Sequence, residues 1–277
     1  MSAKVTLVMC VYNQLDLTRA CLASLRATTE PFELIVVDNG STDDTPRFFA
    51  ELRTTVPLRY ERHETNASVI ARLNHGARLA ATDFVGLLHN DTEMTEPAWL
   101  ARLLAALGAP RVGLAGLYGA KRVRRDGRLV GRTIVHSLVE GPTVKPPWEE
   151  VAFVDAVCLA LARRTLQAVG GLDEGYGFYH GLDRELSFAV RELGQRCVVV
   201  HAPFHHHGGG TRARDFGERP ERERSDLALR RDVMDRFRRK WAHRLPADVR
   251  PRSVRMQQWI GAKLVGWRPP RGPVLCS

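Results

Sequence analysis

At 277 residues, with 44% hydrophobic and 26% charged side chains, the chain has enough apolar material for a full core, which excludes a disordered tail or a disulfide-stapled mini-protein. Its formal charge of +10 is unevenly placed: residues 212–277 hold 18 Lys/Arg against 8 Asp/Glu, and the 211 residues before them balance at 23 against 23. The basicity therefore belongs to the last quarter of the chain, and the body carries no charge signature of a nucleic-acid binder.

Cys10, Cys21, Cys158, Cys197 and Cys276 are odd in number, scattered and without a CxxC pair. That pattern argues against a disulfide framework and a zinc knuckle, and a reducing cytoplasm fits it best. The apolar run Val5–Tyr12 is too short and its flank too weakly basic for a signal peptide, and no run approaches the ~20 apolar residues of a membrane span.

Val5–Tyr12 is rich in β-forming residues and stops at Asn13, after which Leu15, Leu17, Ala20, Cys21 and Leu25 recur at helical spacing. The unit repeats: Glu33–Val37 ends in Asp38-Asn39-Gly40-Ser41-Thr42-Asp43-Asp44-Thr45, and Arg47–Leu52 resumes a helix. A third strand, Leu58–Glu61, leads through Asn66 to a helix over Val69–Ala81 that carries Asn74, and Phe84–Leu88 is a fourth strand. This alternation predicts an α/β fold with a mostly parallel sheet and right-handed crossovers. The first turn, Tyr12-Asn13-Gln14-Leu15-Asp16, has no glycine, so the GxGxxG loop of a dinucleotide-binding oxidoreductase is excluded.

The fourth strand closes in His89-Asn90-Asp91, three side chains able to meet a metal or a phosphate. Parallel sheets gather ligands at the carboxyl ends of their strands, so Asp91 stands at the rim of a crevice. The alternative is a helix cap, with Asp91 or Thr92 capping and Glu93 and Glu96 in the first turn. Without a glycine loop, phosphate charge needs another partner, and a divalent cation on Asp91 supplies one. Asp38, ending the second strand, suits either a ribose or base contact or an Asx-turn, and Asp43 and Asp44 suit capping.

Trp99–Leu107 reads as a helix and Val112–Leu117 as a strand, and the clean alternation then stops. Lys121–Arg132 is a basic loop or hairpin turning at Asp126-Gly127, and Glu140–Trp148 is irregular. Val151–Ala162 reads as one buried β segment leading into the helix Arg164–Val169, which Gly170-Gly171 ends. Gly171–Ser187 mixes glycines, aromatics and acids as a substrate loop does, and it runs into a helix over Leu182–Leu193 with Asp183 at its start, as a site acid or a cap. After the strand Cys197–His201, His205-His206-His207 before three glycines reads as a metal or phosphate loop, or as an exposed polar one.

The order of these motifs resembles that of a family 2, GT-A-type inverting glycosyltransferase from Val5 to Thr211. The matching segments are Val8–Asn13, Val36–Asp43, Asn66 with Asn74, Leu88–Glu93, Gly170–Glu174, Leu182–Leu186 and His206–Thr211. The resemblance implies a GT-A nucleotide-binding sheet, mixed and mostly parallel, flanked by helices. Residues 1–211 form its catalytic domain, about 1–117 as the donor half and 118–211 as the acceptor half, with 212–277 as a basic helical extension.

It further implies a nucleotide-diphosphate sugar donor contacted through Asn13, Asp38, Asn39, Asn66, His89 and Asn90. Mn²⁺ or Mg²⁺ would sit on Asp91 with His206, and His205 and His207 lie within register error of that histidine. Asp183 is the implied base, deprotonating the hydroxyl of a glycan, lipid-linked glycan or small-molecule acceptor in surface polysaccharide or glycoconjugate synthesis. His89 replaces the first acid of the family's DxD triplet, Leu182 the acid before the base, and Ser68 a glycine two residues after Asn66.

In the basic extension, Leu227, Leu229, Val233, Met234, Phe237 and Trp241 line one face of a helix over Asp226–Trp241, and Val254–Trp267 forms a second candidate. These helices either pack on the catalytic domain or dock at an anionic membrane surface. Two other classes fit parts of the sequence: a nucleotidyltransferase on the same scaffold, and a non-catalytic nucleic-acid or partner-binding protein that uses the basic tail.

Overall fold

The computed structural model describes residues 2–208 and 220–257. The first half contains β1 (Val5–Val11), α1 (Leu15–Leu25), β2 (Phe32–Asp38), α2 (Thr45–Glu51), β3 (Leu58–Arg62), α3 (Val69–Leu79), β4 (Phe84–Leu88), β5 (Thr92–Met94) and α4 (Trp99–Leu107). The middle holds β6 (Val112–Gly116), β7 (Tyr118–Ala120), β8 (Arg122–Val123), β9 (Ile134–His136), β10 (Trp148–Val151), β11 (Phe153–Val154), β12 (Cys158–Ala162) and α5 (Arg163–Ala168). Then come α6 (Leu182–Glu192), β13 (Arg196–Val200), β14 (Phe204–His206), a long helix Pro220–Lys240 and β15 (Ala247–Asp248).

Eight strands build the central sheet in the order β10-β13-β6-β12-β4-β1-β2-β3. The β4-β1-β2-β3 half is parallel, β12 runs antiparallel between β4 and β6, and β10 runs antiparallel to β13. The sheet is thus mixed and mostly parallel, and its strands are apolar on both faces because both faces are covered. Along β1, Val5, Leu7, Met9 and Val11 join α1, α2 and α4 through Cys21, Phe49 and Trp99, whereas Val8 joins α3 through Ile70, Leu73 and Ala77. The two-residue period of a strand produces that division.

Two segments depart from the sequence reading. Thr92–Met94 is a short strand rather than the first turn of a helix capped by Asp91 or Thr92, and the next helix begins at Trp99, where the sequence places it. The segment Val151–Ala162 is not one strand: Val151 ends β10, which pairs with β13, β11 leaves the central sheet to pair with β7, and β12 returns between β4 and β6. The corner between β11 and β12 is held by Asp155, whose amide donates to Tyr118 O at 2.8 Å and whose Oδ1 accepts from Val157 N at 2.9 Å.

The long helix packs on the domain. Val233, Phe237 and Trp241 are buried in the same apolar cluster as α6, with the rings of Phe188 and Phe237 edge to face at 4.9 Å. Glu185, buried on α6, accepts from Trp241 Nε1 at 2.7 Å, Lys240 Nζ at 2.6 Å and Tyr176 Oη at 2.7 Å. A buried carboxylate with three donors is stabilised rather than stranded. Most of Val254–Trp267 lies outside the described residues, and no described helix is long and apolar enough to cross a membrane.

Candidate active site

A cavity of about 660 Å³ opens beside the carboxyl end of β4, and its lining includes His89, Asn90, Asp91, Asp155, Asp183, Arg184 and His206. Its position follows from the topology: β4 sits where the parallel half of the sheet meets the reversed strand β12, and a change in strand direction leaves room for a ligand.

Asp91 and His206 are 115 positions apart and meet through one short ladder. β14 pairs antiparallel with β5 so that Thr92 faces His206 and Met94 faces Phe204. His206 Nε2 then lies 3.2 Å from Asp91 Oδ1, and His89 Nδ1 lies 3.9 Å from the same oxygen. One donor atom from each of the three residues falls within 4.8 Å of the others. Asp91 Oδ1 is buried and accepts no well-aligned hydrogen bond, although His206 stands close to it. An orphaned carboxylate oxygen facing two imidazoles fits a divalent cation. Burial alone would raise the Asp91 pKa, but His206 and His89 outweigh it and hold the carboxyl below its ordinary value.

The flanking histidines point elsewhere. His205 Nδ1 is 3.0 Å from Glu140 Oε1, and His207 Nε2 is 2.5 Å from Glu93 Oε1. Alternate residues of an extended segment face opposite ways, so only the middle imidazole turns toward Asp91.

Asp183 lies in the first turn of α6 and is half-buried, with its Oδ1 accepting from Arg184 N at 2.7 Å. Burial raises its pKa to about 6, the neighbouring Asp155 carboxylate adds to the rise and the Arg184 guanidinium opposes it. Burial also raises the Asp155 pKa, against the Val157 amide, His206 and Arg184. Arg184 lies over the Phe153 ring at 5.3 Å, and its buried Nε has no hydrogen-bond partner.

The remaining predicted contacts cluster at the carboxyl ends of β1 and β2. Asp38 is fully buried, with Oδ1 accepting from Ser41 N at 2.8 Å and Oδ2 from Tyr60 Oη at 2.5 Å, the arrangement of the Asx-turn alternative. Asn39 donates to Asn66 Oδ1 and Ala67 O, both at 2.8 Å, and accepts from Ala67 N and Arg72 Nε. Asn13, at φ 54°, accepts from Thr42 N at 2.7 Å. Gly40 has φ +83°, and a Cβ there would lie 2.8 Å from the Thr65 carbonyl carbon, so only glycine fits where these turns touch. Asn90 Nδ2 donates to Thr18 Oγ1 at 2.9 Å. Asn13, Asp38, Asn39 and Asn66 are not among the cavity-lining residues, whereas His89 and Asn90 are.

The model of glycosyl transferase family 2 matches residues 6–167. The chain belongs to that family. The O-antigen biosynthesis protein RfbC of Myxococcus xanthus is 30% identical over 231 residues, covering 76% of this chain but 18% of the relative. Among solved structures, GalNAc-T7 with UDP, GalNAc and Mn²⁺ superposes at a TM-score of 0.59 with 15% identity, covering 74% of this chain and 44% of the other. The mannosyltransferase PcManGT of Pyrobaculum calidifontis with GDP-Man and Mn²⁺ gives 0.54 and 17%, covering 97% and 82%. These likenesses establish the GT-A fold for this family 2 chain.

Sequence reading missed Asp155, Arg184 and the pair Tyr179-His180 as cavity residues. Asp155 had a signal: a lone carboxylate within the apolar run Ala152–Leu161 has to be accounted for chemically. Tyr179 and His180 had none beyond their loop's composition.

Proposed function

We propose that this family 2 chain is an inverting glycosyltransferase that moves a sugar from a nucleotide-diphosphate donor to an acceptor hydroxyl in surface polysaccharide or glycoconjugate synthesis. One observation carries the reading: Asp183 and the Asp91, His206 and His89 cluster open onto the same cavity, so a base and a cation site share one reaction space. The Mn²⁺ bound with a nucleotide sugar in the GalNAc-T7 and PcManGT structures and the O-antigen relative support it.

Asp91 would hold the cation with His206 and His89. A donor set of one carboxylate and two imidazoles suits Mn²⁺ better than Mg²⁺, which prefers oxygen ligands. When bound, such an ion offsets the charge that develops on a departing diphosphate. Asp183 accepts the acceptor hydroxyl's proton while that oxygen bonds to the anomeric carbon. The bond from that carbon to the diphosphate breaks on the opposite face, and configuration inverts. A carboxyl lifted to about 6 is mostly ionised at neutral pH and a stronger base than an ordinary aspartate. Arg184 keeps it ionised. Asn13, Asp38, Asn39 and Asn66 shape the turn that receives the nucleotide, and a base or ribose contact by Asp38 requires Tyr60 to release Oδ2.

A thermal-shift panel of UDP- and GDP-sugars with and without Mn²⁺ tests this reading. At least one sugar nucleotide should raise the melting temperature, and EDTA should cancel the rise. Indifference to every UDP- and GDP-sugar in the panel contradicts it.

A further inference from the structure

The long helix reaches the cavity wall through one side chain. Asp226, in its first half, is 8% exposed, and its carboxylate is shared by three donors. Oδ1 accepts from Tyr179 Oη and lies 2.6 Å from His180 Nε2, while Oδ2 accepts from Arg230 Nε at 2.7 Å one turn along the helix. Tyr179 and His180 both line the cavity and precede Asp183 by four and three residues. Burial alone would raise the Asp226 pKa, yet its partners hold it at about 2, so the carboxylate stays ionised at any working pH.

The backbone is fitted to this contact. Gly181, at φ +81°, lies under the same helix, and a Cβ there would sit 2.6 Å from Val233 Cγ1 and 2.7 Å from Tyr176 Cδ1. Ser68 Oγ donates to Gly177 O at 2.6 Å and Val69 N to Phe178 O at 2.7 Å, which ties the other edge of the loop to α3. Between those two anchors, the Tyr179 and His180 rings are oriented by Asp226. The Tyr118 ring and the side chains of Leu129, Ile134 and Leu138 line the same cavity. Aromatic and aliphatic surfaces of this kind pack against the C–H face of a pyranose, and a fixed imidazole and phenol supply polar contacts at its edge.

We propose that Asp226 is a positioning residue that sets Tyr179 and His180 for a carbohydrate acceptor, so that the long helix forms part of the acceptor-binding unit. This rests on the transferase reading above. Its consequence is selective: loss of Asp226 loosens the acceptor wall and spares the donor side, which is built from β1, β2, β4 and the Asp91 cluster.

The test compares wild type with Asp226→Asn, which keeps the volume, and Asp226→Ala. The UDP- or GDP-hexose that gives nucleoside diphosphate release is paired with p-nitrophenyl glycosides as acceptors. Acceptor KM should rise about tenfold or more in Asp226→Ala, and less in Asp226→Asn, which keeps an oxygen acceptor for Tyr179. Donor KM and release of diphosphate to water should stay within about twofold of wild type. Hydrogen exchange on the full chain, read without any ligand, should open over residues 176–186 and stay unchanged over residues 32–60. An unchanged acceptor KM overturns the proposal, and so does a parallel loss of donor and acceptor binding in Asp226→Asn. A wild type that turns over no sugar nucleotide overturns the transferase reading instead, and exchange over 176–186 then still decides whether Asp226 orders the wall.

Discussion

His206 Nε2 lies 3.2 Å from Asp91 Oδ1 because Thr92 and His206 are paired in a three-residue antiparallel ladder. The neighbouring His205 and His207 engage Glu140 and Glu93 instead. Replacing His206 with Ala should lower Mn²⁺-dependent nucleotide affinity about tenfold or more, a loss that removal of an outer partner of a metal ligand already produces. His205→Ala and His207→Ala should leave it within about twofold, the range expected for surface ion pairs. Calorimetric titration of UDP and GDP with Mn²⁺ or EDTA reads the difference.

The raised Asp183 pKa predicts opposite effects on activity and stability. The proposed base is the carboxylate form, so on that proposal kcat/KM should fall as pH drops through about 6. Folding favours the protonated form: the stability this group contributes is present below its ordinary value near 3.8 and is lost as pH rises through about 6. Asp183→Asn should therefore lose roughly 10²–10⁴-fold in turnover and yet melt higher than wild type at pH 8. The gap in melting temperature should close below pH 4, where the wild-type carboxyl is also neutral.

Asp155 raises the Asp183 pKa by like-charge repulsion. Asp155→Asn keeps an oxygen for the Val157 amide and removes the charge, so the acid limb of the pH profile should move to lower pH. A profile measured on both proteins with the same donor tests this, and an unmoved limb would mean that Asp155 serves only the corner between β11 and β12.

Gly40→Ala should destabilise the protein by about 1–3 kcal/mol, since the backbone there is left-handed and the added methyl meets the Thr65 backbone. Chemical denaturation measures it, and the midpoint should fall with an unchanged slope.

Much of the fold was legible because the first four strands and the first four helices carry their periodicity over five to eleven residues: Val5–Val11, Phe32–Asp38 and Val69–Leu79 stand where their patterns predict. β5 and β14 are three residues each, too short to show a period, so the ladder that joins Asp91 to His206 could not be read from the chain. The same brevity kept the strand pattern from showing which of three adjacent histidines turns inward, and His206 was singled out by the family resemblance alone, with its two neighbours within register error. Asp155 was concealed by its apolar neighbours, and Asp226 by a run of charges in which one acid looks like the next. Their partners, His180 and Asp183, lie 46 and 28 positions away, and only the packed structure brings them together.

The central claim is that Asp183 drives transfer from a nucleotide sugar at the Asp91 cluster. It is tested most directly by following product release from a panel of UDP- and GDP-hexoses with Mn²⁺ and an acceptor glycoside. Wild type should release nucleoside diphosphate and form a glycoside of inverted anomeric configuration, while Asp183→Asn should bind the same donor and release almost none. Release of pyrophosphate, retention of configuration, or near-wild-type turnover by Asp183→Asn would contradict the account.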